Sequence, residues 1–188
     1  NQGVRRLAAN PLLLTILALI KRQSVTLPNQ RARLYDLYLE TLINAWNKAR
    51  ALDGRQVGPE LDYLQTLEVL SPLALWLRQE NPTAGLATER DLIEQLTRHC
   101  TGEGWQLPRG QALEKAGGFL RSVRQYSNLL LARGEGQYGF IHLTLEEMLA
   151  AYGVVQIGQV ELEESLAFIQ EHLEDPAWRE TILLAVGI

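Results

Sequence analysis

His142 is the side chain in this sequence best placed to do chemistry, because it falls between an extended segment and a helix in the run Gly139-Phe140-Ile141-His142-Leu143-Thr144-Leu145-Glu146-Glu147-Met148-Leu149-Ala150-Ala151. Phe140 to His142 read as the end of a strand. Thr144, followed three residues later by Glu147, predicts a capping box that opens a helix. Leu143 and Met148 occupy staple positions that would fix the entry angle of the chain. An imidazole at such a corner, beside unpaired N–H groups carrying partial positive charge, could donate to an anion such as phosphate. On residue type alone the plainer alternative is favoured, a strand-end or core histidine bonded to a backbone carbonyl.

Other chemistries are excluded by what the sequence lacks. There is no G-x-x-x-x-G-K-[ST] loop and no apolar strand ending in paired acids for Mg²⁺, so this chain alone does not hydrolyse a nucleotide by that route. His99, His142 and His172 are scattered, no His or Cys pair has metal-ligand spacing, and no G-x-S-x-G elbow is present. Glu146 is assigned to the helix dipole and Glu147 to the cap, leaving no catalytic and no metal-binding residue.

The composition, 188 residues with 46% hydrophobic and 21% charged, is that of a soluble globular protein. A formal charge of −4 gives no global field toward nucleic acid or an anionic membrane. Cys100, the single cysteine, excludes an intramolecular disulfide and fits a reducing compartment as a small buried side chain. The longest apolar run, from Pro11 to Ile20, falls far short of the ~20 residues that span a bilayer. Without an initial Met or a framed signal peptide, the chain reads as an excised fragment.

Asn10-Pro11 predicts the start of a helix over 12–22 that is apolar almost all round and therefore buried. A second helix is expected over 30–50, with Leu34, Leu37, Tyr38 and Leu42 on one stripe. After a polar connection bracketed by Asp53-Gly54 and Gly58-Pro59, a third is expected from 59 to 79, kinked at Ser71-Pro72. Thr88 caps 89–98 with Asp91 at the third position, and another helix covers 111–126. Two extended segments, 128–133 and 137–141, flank the hairpin loop Gly134-Glu135-Gly136. Helices over 144–156, 160–173 and from Asp175-Pro176 to 185 complete the chain; the six acids of 161–175 form a solvated face.

The order helix, short strand, helix, helix, hairpin is that of a winged helix. The expected fold is mainly α: a helical subdomain at 1–52, a winged-helix subdomain with a small β-hairpin at 59–142, and a C-terminal helical segment at 143–188. A winged helix raises DNA binding, and Arg109, Lys115, Arg121, Arg124 and Arg133 lie on or beside the recognition helix and hairpin. That helix also carries Leu113, Ala116, Phe119, Leu120 and Val123, with no dense run of Lys or Arg for phosphates. Winged helices also serve as protein–protein modules, so a helical adaptor is the other alternative.

Leu7-Ala8-Ala9-Asn10-Pro11-Leu12-Leu13-Leu14-Thr15, then Leu27-Pro28 to Leu34-Tyr35, then Phe140 to Ala151 occur in an order and spacing that resemble the C-terminal half of NACHT modules, STAND signalling NTPases related to Nod-like receptors. The likeness spans nearly the whole chain. It implies an ATP/ADP-dependent signalling switch in the cytoplasm whose nucleotide-binding core lies upstream and whose sensor repeats lie downstream. It also implies homo-oligomerisation of the parent protein on activation and no nucleic-acid or membrane partner. By the same resemblance Pro11, with Leu12 beside it, packs against adenine, and His142 contacts the β-phosphate of ADP. A rigid pyrrolidine face and a short imidazole donor suit those tasks. No nucleotide is expected on this fragment alone, and the parent is at most a slow ATPase. Glu146, Met148 and Leu149 depart from the usual pattern, in which a polar uncharged residue and aromatics are frequent.

Overall fold

Two long helices at the centre of the molecule owe their pairing to one apolar stripe each. In the computed structural model, which describes residues 14, 18, 31–52, 63–82, 84–102, 105–124 and 129–188, the elements are α1 (Arg31–Leu52), α2 (Tyr63–Glu80), β1 (Ala87–Thr88), α3 (Glu89–Thr101), α4 (Arg109–Ser122), β2 (Leu130–Ala132), β3 (Gln137–Phe140), α5 (Leu143–Val160), α6 (Leu162–His172) and α7 (Arg179–Ala185). Leu67, Leu70, Ala74 and Leu77 recur at helical spacing on α2 and are buried in one core with Leu145, Met148, Leu149 and Val154 of α5. Gly153 lets the two helices close: a Cβ there would stand 2.9 Å from the Ser71 carbonyl oxygen. Around this pair α1 supplies Leu34, Tyr35, Leu39 and Ile43, and α7 supplies Ile182 and Leu184, to the same core.

The small sheet is antiparallel in the order β1-β3-β2, with Ala87 opposite Tyr138 and Leu130 opposite Phe140. The Gly134-Glu135-Gly136 loop turns through three positive φ values, +98°, +41° and +76°, of which the two largest fall on glycines that adopt them without strain. With the strand, helix pair and hairpin in this sequence, the fold is a winged helix, mainly α, as its residue pattern predicts.

The boundaries of most helices follow expectation, and the differences have local causes. The Thr88 capping box forms with Asp91, and α3 runs on to Thr101 before Gly102 closes it. Pro72 sits inside α2, which extends to Glu80. Of the expected 12–22 helix only Leu14 and Ala18 are described; both are helical and exposed. The acidic face of α6 is solvated as its charge requires, with Glu163, Glu164 and Glu171 exposed.

β3 is held unusually close to the loop before β1. A Cβ on Gly139 would lie 2.6 Å from the Gly85 carbonyl oxygen and 2.9 Å from a Leu86 methyl. Gly139→Ala is therefore expected to destabilise the domain by about 1–3 kcal/mol, the range for overpacking a filled interior, as measured by urea denaturation.

Candidate functional site

Five hydrogen bonds fix the chain between β3 and α5, where His142 stands. The Ile141 N–H donates to the Leu129 carbonyl at 2.8 Å. Arg133 Nη2, from the wing, donates to the carbonyls of Phe140 and Ile141 at 3.0 and 2.9 Å. The His142 carbonyl accepts from the Leu145 N–H at 3.0 Å, and its Nδ1 accepts from the Thr144 N–H at 3.2 Å. His142, with extended backbone (φ −146°, ψ 137°), is thus itself the N-cap of α5.

This overturns the expected capping box. The helix opens at Leu143 rather than at Thr144, so Thr144 is its second residue and is buried. Leu143 is half exposed and lies inside the helix, which removes the staple with Met148. The physical reason is that the His142 imidazole accepts the Thr144 N–H, the donor that the Glu147 side chain would have taken in the expected box. With Nδ1 accepting, the network assigns the ring proton to Nε2, and that N–H has no partner among the described residues. The half-buried ring therefore combines a fixed orientation with one unused donor.

Glu146 lies in the first turn of α5, as its dipole role requires, but Glu147 does not take up the expected cap role. Both turn to Arg78 on α2, Glu146 at 3.3 Å and Glu147 at 3.4 Å, with Arg78 and Glu146 almost wholly buried. Arg78 also donates to the Ala177 carbonyl, lies 5.4 Å from the Trp178 ring centroid, and leaves its Nε without an acceptor among the described residues. Burial pushes the Glu146 carboxyl above the usual carboxylate range, and the Arg78 charge and hydrogen bond oppose it. Glu146 also lies against Gly85, whose φ of +57° and lack of a Cβ make room for the carboxylate. A cavity of about 280 Å³ opens here, lined by Gly85, Arg133, Gly139, Phe140, Leu143 and Glu146.

A second polar hub ties α1 to this core. The hydroxyls of Tyr63 and Tyr152 both donate to Oδ1 of Asp36, the latter at 2.5 Å, and Arg33 binds Oδ2 at 2.8 Å. Burial first, then the Asp36 contact, raises both tyrosines well above their ordinary values. Neither this hub nor Arg78 was singled out from sequence. The available signal was an arginine closing an otherwise apolar helix, with two adjacent acids at the start of another.

The basic residues of the recognition helix and hairpin are largely engaged within the protein. Lys115 Nζ stands 3.4 Å from the Trp105 ring centroid, whose indole N–H donates to Glu68. Arg124 pairs with Glu89 at 3.0 Å and lies over Tyr138. Pro11 and Leu12, the other expected nucleotide contacts, lie outside the described residues. No group of His, Cys, Asp and Glu able to hold a metal occurs among the described residues, and no helix there is long and apolar enough to cross a membrane.

A family model described as the winged helix-turn-helix domain C-terminal to NACHT matches residues 31–154, about two thirds of the chain. The chain belongs to that family. The matched stretch of this NACHT-associated winged helix contains α1 to β3, His142 and the first two thirds of α5, and so includes Arg78, Asp36, Glu146 and Glu147. No curated protein and no solved structure matches the chain.

Proposed function

We propose that this NACHT-associated winged helix is the regulatory half of an ATP/ADP-dependent signalling switch, closing over a nucleotide held by an upstream P-loop core. The observation that carries the reading is His142: its Nδ1 is committed to the α5 cap, which leaves Nε2–H as a preset donor beside a helix N-terminus. In the closed arrangement that donor meets the β-phosphate of ADP, and Pro11 with Leu12 covers the adenine. Bound ADP then favours closure, because the contact exists in only one of the two states. The chain itself is a binding and regulatory element with no catalytic residue; any slow ATPase belongs to the core. The same reading takes downstream sensor repeats and further copies of the parent as partners, and the cytoplasm as location.

The test is ADP binding to the full-length protein that contains the NACHT core. His142→Ala should weaken ADP retention and raise basal signalling, whereas unchanged affinity would remove His142 from the nucleotide site.

A further inference from the structure

Arg78 joins its own helix to two parts of the molecule that are far from it in sequence. Its guanidinium, on the last turn of α2, pairs with Glu146 and Glu147 in the first turns of α5 and donates to the Ala177 carbonyl just before α7. Beneath it lies Trp178, 3% exposed. The position of Trp178 is set in turn by α6: Phe168 meets it edge-on at 5.1 Å and His172 at 4.6 Å, while those two rings stack at 4.3 Å. An acceptor and an aromatic face from residues 173–178 thus complete the surroundings of a cation whose other partners are the carboxylates of α5.

We propose that Arg78 is a positioning residue that relays the placement of α6 and α7 to the first turn of α5, and through it to the His142 cap. A buried guanidinium tolerates no lost partner cheaply. If α6 and α7 shift, the Ala177 carbonyl and the Trp178 ring withdraw together, and Arg78 must draw on Glu146 and Glu147 for what it has lost. Glu146 follows His142 by one helical turn, and its N–H donates to the His142 carbonyl at 3.3 Å. Movement of these carboxylates therefore loosens the same turn in which the Thr144 N–H meets His142 Nδ1. The consequence for nucleotide rests on the function proposed above; the mechanical coupling does not.

Amide hydrogen exchange on the full-length protein separates the two. Trp178→Leu, which removes the ring and leaves every residue of the cap in place, should speed exchange at 143–147 by roughly three- to tenfold, the size of coupling found within one ion-pair network. Amides of α3 and α4 should keep their wild-type rates and serve as the internal reference for intact folding. Arg78→Lys, which keeps the charge and loses the planar fork, should produce the same rise, and combining it with Trp178→Leu should add little. Faster exchange confined to α6 and α7, or additive effects of the two substitutions at 143–147, would overturn the relay. With the rise at 143–147 present, unchanged ADP release would sink the nucleotide reading and leave the relay standing.

Discussion

Arg78→Met is expected to cost about 3–5 kcal/mol of folding free energy, because it strands one buried carboxylate and weakens the setting of a second. Glu146 is the more deeply buried of the pair, and burial already raises its carboxyl above the ordinary value even with Arg78 present. Removing the guanidinium takes away the charge that opposes the rise, so the folded state of the variant holds its proton to higher pH. A raised acid binds a proton in the folded chain over a window in which the unfolded chain has already released it. Stability must then increase as pH falls through the folded value toward the ordinary 4.5 and decrease as pH rises through the same window. The added slope, taken as the difference from wild type, approaches about 1.4 kcal/mol per pH unit for one proton. Urea denaturation from acidic to neutral pH should show it. Replacing the partner as well, in Arg78→Met with Glu146→Leu, should recover much of the loss and flatten the difference; parallel profiles for the single variant and wild type would refute the buried pair.

The second large effect concerns ligand rather than stability, and Asn at position 142 separates the two. Asn is among the best N-cap residues, and its Oδ1 can replace Nδ1 in accepting the Thr144 N–H. It has no group that reaches as far as Nε2. His142→Asn should therefore unfold close to wild type, whereas His142→Ala loses about 1 kcal/mol with the cap. A hydrogen bond to charged phosphate contributes roughly 1.5–3 kcal/mol, so both variants should shift the open-to-closed balance about ten- to a hundredfold toward open in the ADP-bound full-length protein. Wild-type ADP affinity in both variants, with their stabilities unequal, would assign His142 to capping alone.

What could be read from the sequence followed the range of the interactions. Thr88 and Asp91 are three residues apart and form the box their spacing predicts; Gly134-Glu135-Gly136 turns the hairpin for equally local reasons. Thr144 and Glu147 show the same spacing, yet Glu147 pairs with a residue 69 positions away and Glu146 with one 68 away. A capping pattern carries no trace of a buried cation on another helix, so the local signal misassigned Glu147 and missed the ion pair of Glu146. The Asp36 hub was hidden for the same reason, since its tyrosines approach from α2 and α5. The place of His142 between strand and helix was legible in the sequence, and its role as the cap emerged only from the backbone geometry around it. The sequence likewise carried no sign of the partners of Arg124 and Lys115 on the recognition helix, which are Glu89 and Trp105.

ADP dissociation from the full-length His142→Asn protein, followed alongside its thermal unfolding, puts the proposed phosphate contact to the hardest trial. The account predicts release about ten- to a hundredfold faster than wild type at a nearly unchanged midpoint. Wild-type release from a protein whose α5 cap is intact would contradict it.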